Sequence, residues 1–178
     1  RRVEGTIDNI PCYLDQDGCP TGAKFAHDAN GDVTWNEDFT TDVPFRCVIP
    51  NSVLTDNPGS VSPAVPGLYG HGLLGTRNQV NGQETLANRS NTIWCAMDFQ
   101  GFSEPDLPTV IASLNDMSNF KKLADRMQQG YVNFMYLGRA LAHPNGLGTA
   151  AAFQEDLDGV GGNPAESVID TSDGMNTR

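Results

Sequence analysis

The residues best suited to chemistry form one short run, Tyr69-Gly70-His71-Gly72-Leu73-Leu74-Gly75. It follows the apolar stretch Ala64 to Tyr69 directly, so it reads as a glycine-rich turn leaving a strand. Glycines let main-chain N–H groups turn inward with no side chain in the way. Such donors can hold the negative oxygen that develops during acyl transfer. A lone Gly-x-Gly would suit an ordinary turn; the length of this run favours the functional reading. Phe99-Gln100-Gly101-Phe102-Ser103 follows a second apolar stretch, and loops at that end of an open α/β sheet line ligand sites. Its residues suit a pocket wall and a buried loop equally well.

Other constellations carry less. Asp28-Ala29-Asn30-Gly31-Asp32 looks like the start of a calcium loop, but Val33 and Phe39 stand where glycine and glutamate are required. A hairpin turn is the better reading. Asp15-Gln16-Asp17-Gly18 and Asp156-Leu157-Asp158-Gly159 also read as turns, and no metal or cofactor is expected. Trp94 and Met97 read as core, as does the stripe Met127, Tyr131 and Met135. Asn88-Arg89-Ser90 has the form of a glycosylation sequon.

The elements that must position the glycine-rich run follow from periodicity. Residues 1–50 read as short strands: Arg2 to Asp8, then Ala23 to Ala26 and Val33 to Glu37 around the hairpin signal Asn30-Gly31, then Val43 to Ile49 with period two, stopped by Pro50. Residues 51–178 read as a β-α-β portion. Ala64 to Tyr69 is a short buried strand, Gln83 to Asn88 a short helix, and Thr92 to Asp98 a buried strand with almost no polar face, as parallel sheets require. Asp106 to Leu141 is helical in two pieces. The second repeats Phe120, Leu123, Ala124, Met127, Tyr131, Phe134 and Met135 at helical spacing, with Ser118 as its N-cap. His143-Pro144-Asn145-Gly146 ends it, and the remainder is mostly loop with Gly159, Gly161 and Gly162 close together. The fold class is therefore α/β, an antiparallel β extension followed by right-handed β-α-β crossovers.

Composition narrows the setting. A chain of 178 residues can bury a real core. The net charge of −11, from 22 acidic and 11 basic residues, repels phosphate backbones and anionic lipid, so nucleic-acid binding is excluded as a class. No apolar run approaches the length of a membrane span, and Arg1-Arg2-Val3-Glu4 does not open a signal peptide. Cys12, Cys19, Cys47 and Cys95 lack zinc-like spacing, which favours two disulfides and an extracellular compartment. Three pairings exist. Cys12 and Cys19 flank a turn-rich segment suited to a local bridge, which leaves Cys47 with Cys95.

Gly70-His71-Gly72-Leu73-Leu74-Gly75 resembles the His-Gly oxyanion motif of bacterial lipases and esterases of the α/β-hydrolase fold. The chain more loosely resembles large secreted actinobacterial-type hydrolases with an N-terminal β extension. The resemblance implies that the strand before the motif is the third of the sheet. It implies that Leu73 donates its main-chain N–H to the oxyanion, while His71 and Gly72 shape the loop. His71 is not the catalytic base, because the triad of this fold runs serine, acid, histidine. The nucleophile strand is expected just after Val168-Ile169-Asp170. Yet no Gly-x-Ser-x-Gly occurs: none of Ser52, Ser60, Ser62, Ser90, Ser103, Ser113, Ser118, Ser167 and Ser172 has the flanking glycines. His27 and His143 have no nucleophile paired with them in sequence. The resemblance thus implies the oxyanion-loop half of an extracellular serine ester hydrolase, acting on an ester substrate. A companion polypeptide, or a C-terminal segment past Arg178, supplies serine, acid and histidine. The alternative is a non-catalytic structural or binding protein on a degenerate hydrolase fold.

Overall fold

Alternating apolar residues set the first two sheet strands. In the computed structural model, which describes residues 1–54, 62–157 and 165–172, β1 (Arg2–Pro11) pairs antiparallel with β4 (Thr40–Val48). Val3 lies opposite Cys47 and Ile7 opposite Val43, and Val3, Val43, Phe45 and Cys47 are buried. Gly5 sits opposite Phe45, where a Cβ would meet the aromatic ring at 2.7 Å. The ladder shifts register between Ile7 and Ile10; there Asn9 adopts φ 58° and donates its N–H to Asp42 Oδ1 at 2.9 Å.

Residues 12–39 leave the sheet as an excursion between β1 and β4. It carries the hairpin of β2 (Ala26–His27) and β3 (Val33–Thr34) around the expected turn. Asp28 organises that turn by accepting from the N–H groups of Asn30 and Asp32, with Gly31 at φ 88°. No calcium-loop geometry is needed to explain these carboxylates.

The main sheet is completed by β5 (Val65–Leu68) and β6 (Thr92–Met97), in the order β1-β4-β6-β5. β6 is parallel to β5 but antiparallel to β4, so the sheet is mixed rather than parallel. Its central position explains its apolar run: Ile93, Cys95, Ala96 and Met97 are buried. β5 corrects the expectation of a buried strand. It lies at the sheet edge, and Val65 is 56% exposed. Pro66 was the available signal, because proline cannot donate to a ladder and is confined to sheet edges. Beyond β5 a single parallel bridge joins Ala64 to Ile169, with Ala64 N–H to Val168 O and Asp170 N–H to Ala64 O both at 2.8 Å.

Between β5 and β6 runs α1 (Glu84–Ser90), stopped by Asn91 in the left-handed region at φ 48°. α2 (Leu107–Asn115) and α3 (Phe120–Ala142) follow. Ser118 does not cap α3. It lies inside the 3-10 turn Met117–Asn119 that leads into the helix, and Asp116 caps that turn, accepting from Ser118 N–H at 3.0 Å. β7 (Gln154–Glu155) and β8 (Glu166–Ser167) form a minor pair. The turn at Asp158-Gly159 and the glycines Gly159, Gly161 and Gly162 lie outside the described residues, as does part of the loop after Asn51. The result is an α/β-type arrangement: a four-stranded mixed sheet with three helices, its strands drawn from both residues 1–50 and the later part of the chain.

α3 overturns a second expectation. Its apolar stripe is core only in part: Leu123 is buried and Phe134 packs on the core, but Phe120, Tyr131 and Met135 are exposed. The buried face is Leu123, Arg126, Gln129, Gly130, Asn133, Leu137 and Leu141. The physical reason is the excursion. Gln129 accepts from Tyr13 N–H and donates to Pro11 O, both at 2.9 Å, and Arg126 Nη1 donates to Cys19 O and Pro20 O. These main-chain groups need polar partners once buried, so the polar side chains take the inner face.

Both disulfides have the expected pairing, Cys12 with Cys19 and Cys47 with Cys95, and there are no free cysteines. The first closes the opening turn of the excursion. The second joins register partners on β4 and β6 within the core. Disulfides accord with an extracellular protein, and among the described residues no helix is long and apolar enough to cross a membrane.

Candidate functional site

The glycine-rich run leaves the C-terminal end of β5. Tyr69 N–H still bonds to Cys95 O at 2.8 Å, and the chain then turns. His71 is buried beneath the turn. Its Nε2 accepts from Phe99 N–H at 2.9 Å, so that nitrogen carries no proton; Nδ1 therefore holds it, and donates to Gly72 O at 2.8 Å. Both nitrogens are occupied by main chain, in a neutral ring that ties the loop to the end of β6. This occupancy leaves His71 no free site for proton transfer.

Gly72 to Gly75 close a four-residue turn, with Gly75 N–H to Gly72 O at 2.9 Å. Leu74, the third residue, has φ 53°. Only the third residue being left-handed matches a type II turn, and leucine there is strained. The strain is held from outside: Leu74 N–H donates to Phe102 O at 2.8 Å, and Gly72 N–H to Gln79 Oε1 at 3.0 Å. Gly75 has no room for a side chain. A Cβ would stand 2.9 Å from Gly72 O and closer still to the Gln79 amide.

Within the turn Gly72–Gly75 one donor is left over among the described residues. The N–H groups of Gly72, Leu74 and Gly75 are all bonded, whereas that of Leu73 donates to no protein group among the described residues. The Leu73 side chain is 70% exposed. The strain at Leu74 and the bonds on either side thus hold the Leu73 N–H unspent within this turn.

The Phe99–Ser103 loop forms the opposite wall. His71, Phe99, Phe102, Met127 and Tyr131 enclose a cavity of about 230 Å³. His71 stacks on Phe102 at 6.5 Å, and Phe99 meets Tyr131 edge to face at 4.9 Å. Phe99 and Phe102 line this cavity while Gly101 and Ser103 are buried, so the loop has features of both readings. Buried Asp106 holds it from below, accepting from Gly101 N–H at 2.7 Å, Ser103 N–H at 3.2 Å and the Ser103 hydroxyl at 2.8 Å. Arg126 Nε donates to the same carboxylate at 2.6 Å. Arg77 pairs with Asp98 through its main chain and guanidinium, fixing the start of the helical turn after the loop.

No nucleophile belongs to this cluster. Ser103 is buried and spends its hydroxyl on Asp106. His27 lies on the β2–β3 hairpin, and His143 accepts from Asn145 N–H in the turn that ends α3. Among the described residues no group of histidine, cysteine, aspartate or glutamate is arranged to hold a metal. Sequence reasoning singled out Leu73, His71 and Gly72, and did not single out Gln79, Asp106 and Arg126, which hold the loops around them. For Asp106 a signal existed: Ser103-Glu104-Pro105-Asp106 has the capping-box spacing, and the box forms. Gln79 and Arg126 carry no local signal. No family model matches this chain, and no curated protein or solved structure matches it at a significant level.

Proposed function

We propose that this chain supplies the oxyanion-binding half of an extracellular serine ester hydrolase of the α/β-hydrolase type. The observation that carries the reading is the unspent Leu73 N–H in a turn whose other donors are all held. A preorganised N–H of this kind costs no reorganisation when charge develops on a substrate oxygen. The resemblance of Gly70 to Gly75 to the His-Gly motif supports it. So does the position of β5, third in chain order among the strands of the main sheet.

In this reading a further segment, from a companion polypeptide or a continuation of the chain, pairs along the open side of β5. It brings a serine, an acid and a histidine. The serine oxygen attacks the ester carbonyl as the histidine takes its proton. Leu73 N–H and the N–H after the serine share the oxyanion. Collapse expels the alcohol, which takes a proton from the histidine, and water then releases the acid from the serine by the same steps. His71 acts only through the loop.

Position 73 offers a clean test. Proline is favoured at the second residue of a type II turn, so Leu73→Pro removes the N–H and keeps the turn. In the native enzyme kcat falls about 10²–10³-fold, the usual cost of one oxyanion donor, while a serine-directed fluorophosphonate labels the companion segment and not residues 1–178. Unchanged kcat in Leu73→Pro, or native material that resists the probe and turns over no ester, favours the non-catalytic binding protein instead.

A further inference from the structure

Two apolar hollows meet at Tyr131. One is the cavity against His71 described above. The other is a groove of about 520 Å³ between α3 and the excursion. Tyr13, Phe25 and Val33 form its outer wall, and Tyr131, Val132 and Met135 its inner wall, with Gln128 also lining it. Tyr131 lines both hollows, so the groove adjoins the cavity at that side chain. This explains the exposed stripe on α3. Tyr131 and Met135, four residues apart on one helix face, are 60% and 64% exposed because they line a groove.

The groove is built rather than incidental. Its outer wall hangs on main-chain bonds to α3: Tyr13 N–H to Gln129 Oε1 at 2.9 Å and Phe25 N–H to Asp125 Oδ2 at 3.0 Å. Arg126 fixes Cys19 O and Pro20 O beside them, and the Cys12–Cys19 bridge closes the same segment. Polar groups lock the floor while apolar groups line the channel. A preformed apolar groove of this size is the usual form of a small-molecule site.

We propose that this groove binds the acyl chain of the ester, with the carbonyl at Leu73 and a straight aliphatic tail running past Tyr131 to Met135. The inference rests on the ester-hydrolase reading and deepens it. Met127 to Met135 advance about 12 Å along α3, at 1.5 Å per residue. An extended alkyl chain advances roughly 1.3 Å per bond, from bonds of about 1.5 Å. The track therefore holds an acyl group of roughly ten carbons.

The test is a chain-length series of p-nitrophenyl esters, from acetyl to palmitoyl, on the native enzyme containing this chain. Each buried methylene raises kcat/KM about fourfold, and the rise stops near ten carbons. Val132→Trp and Met135→Trp fill the groove and lower the decanoyl-to-acetyl ratio at least tenfold. Met135 is an exposed helix position, so its variant folds even where Val132→Trp does not. Displacement of cis-parinaric acid by decanoate, weakened in the same variants, reads the groove without turnover. A flat chain-length profile, or a ratio untouched by both variants, overturns the acyl groove. The hydrolase reading then still stands if acetyl ester is hydrolysed and Leu73→Pro lowers its kcat about 10²–10³-fold. Failure of every ester and of fluorophosphonate labelling overturns both.

Discussion

Replacing Asp106 tests how the loop beside His71 is held. One buried carboxylate joins three segments: the Phe99–Ser103 loop through Gly101 and Ser103, α3 through Arg126, and, by way of Arg126, the excursion at Cys19 and Pro20. Arg126 is 3% exposed and Asp106 0%. Bringing both charges out of water costs several kcal/mol each, which their attraction largely offsets, so the intact pair adds little net stability. Removing one partner is different. Asp106→Leu strands the Arg126 charge and leaves two main-chain donors without an acceptor, at about 3–5 kcal/mol with the orphaned N–H groups pushing toward the upper end. Domains of this kind have about 5–15 kcal/mol in total. Asp106→Asn keeps an acceptor but not the charge, and falls between. The double variant Asp106→Leu/Arg126→Met carries no buried charge, so it is more stable than the sum of the single losses by at least about 2 kcal/mol. Urea unfolding followed by the fluorescence of Trp35 and Trp94 measures all four corners of the cycle. A cost below about 1 kcal/mol for Asp106→Leu, or strict additivity, would refute the reasoning.

The disulfides differ in what they contribute. Chain-entropy scaling gives about 4 kcal/mol for Cys47–Cys95, with a sequence separation of 48, and about 2.4 kcal/mol for Cys12–Cys19, with a separation of 7. Alanine pairs at each site, compared by urea unfolding, should show that order; the reverse order would contradict it. At the β2–β3 turn, the main-chain N–H groups of Asp32 and then Asn30 hold the Asp28 carboxyl below the usual carboxylate range. Because the folded pKa is the lower one, this turn's stabilisation is complete above the unfolded value of about 3.9 and is lost as pH falls through the folded value. An NMR titration of Asp28 should give a midpoint under about 3.9, and one at or above it would show the turn bonds absent.

Much of the fold was legible because local patterns and tertiary placement agree. The alternation of Val43, Phe45 and Cys47, the run Ile93 to Met97 and the turn at Asn30-Gly31 each lead to the observed element. Sequence reading failed where a long-range partner decides the outcome. The stripe Phe120, Leu123, Ala124, Met127, Tyr131, Phe134 and Met135 has helical spacing, and α3 is helical, but periodicity does not say which of its members are covered: Leu123 is, Tyr131 and Met135 are not. The inner face went to Arg126, Gln129 and Asn133 because the excursion, more than 100 residues earlier in the chain, brings main-chain groups there. α2 shows the same limit: it buries Thr109 and Ser113 while Leu107, Ile111 and Leu114 face outward. At the site, glycine spacing revealed the loop. The free donor became visible only once the partners of Gly72, Leu74 and Gly75 were known.

The open edge and the free donor have a common geometric origin. β5 runs from Val65 to Leu68 toward the loop, and the bridge from Ala64 to Ile169 is parallel and lies on its unpaired side. A strand laid along that side in the same sense climbs beside β5 and finishes level with the loop, about 3.3 Å per residue. Whatever residue stands at its end arrives next to Leu73. An antiparallel strand would deliver its start there instead, and a strand-to-helix turn carrying a nucleophile could not be placed. Among the described residues β5 is an edge strand with Val65 exposed, and open strand edges invite association. In the proposed reading, one added parallel strand would meet both requirements: it would pair the edge and bring a reacting group toward the Leu73 N–H, which donates to no protein group among the described residues.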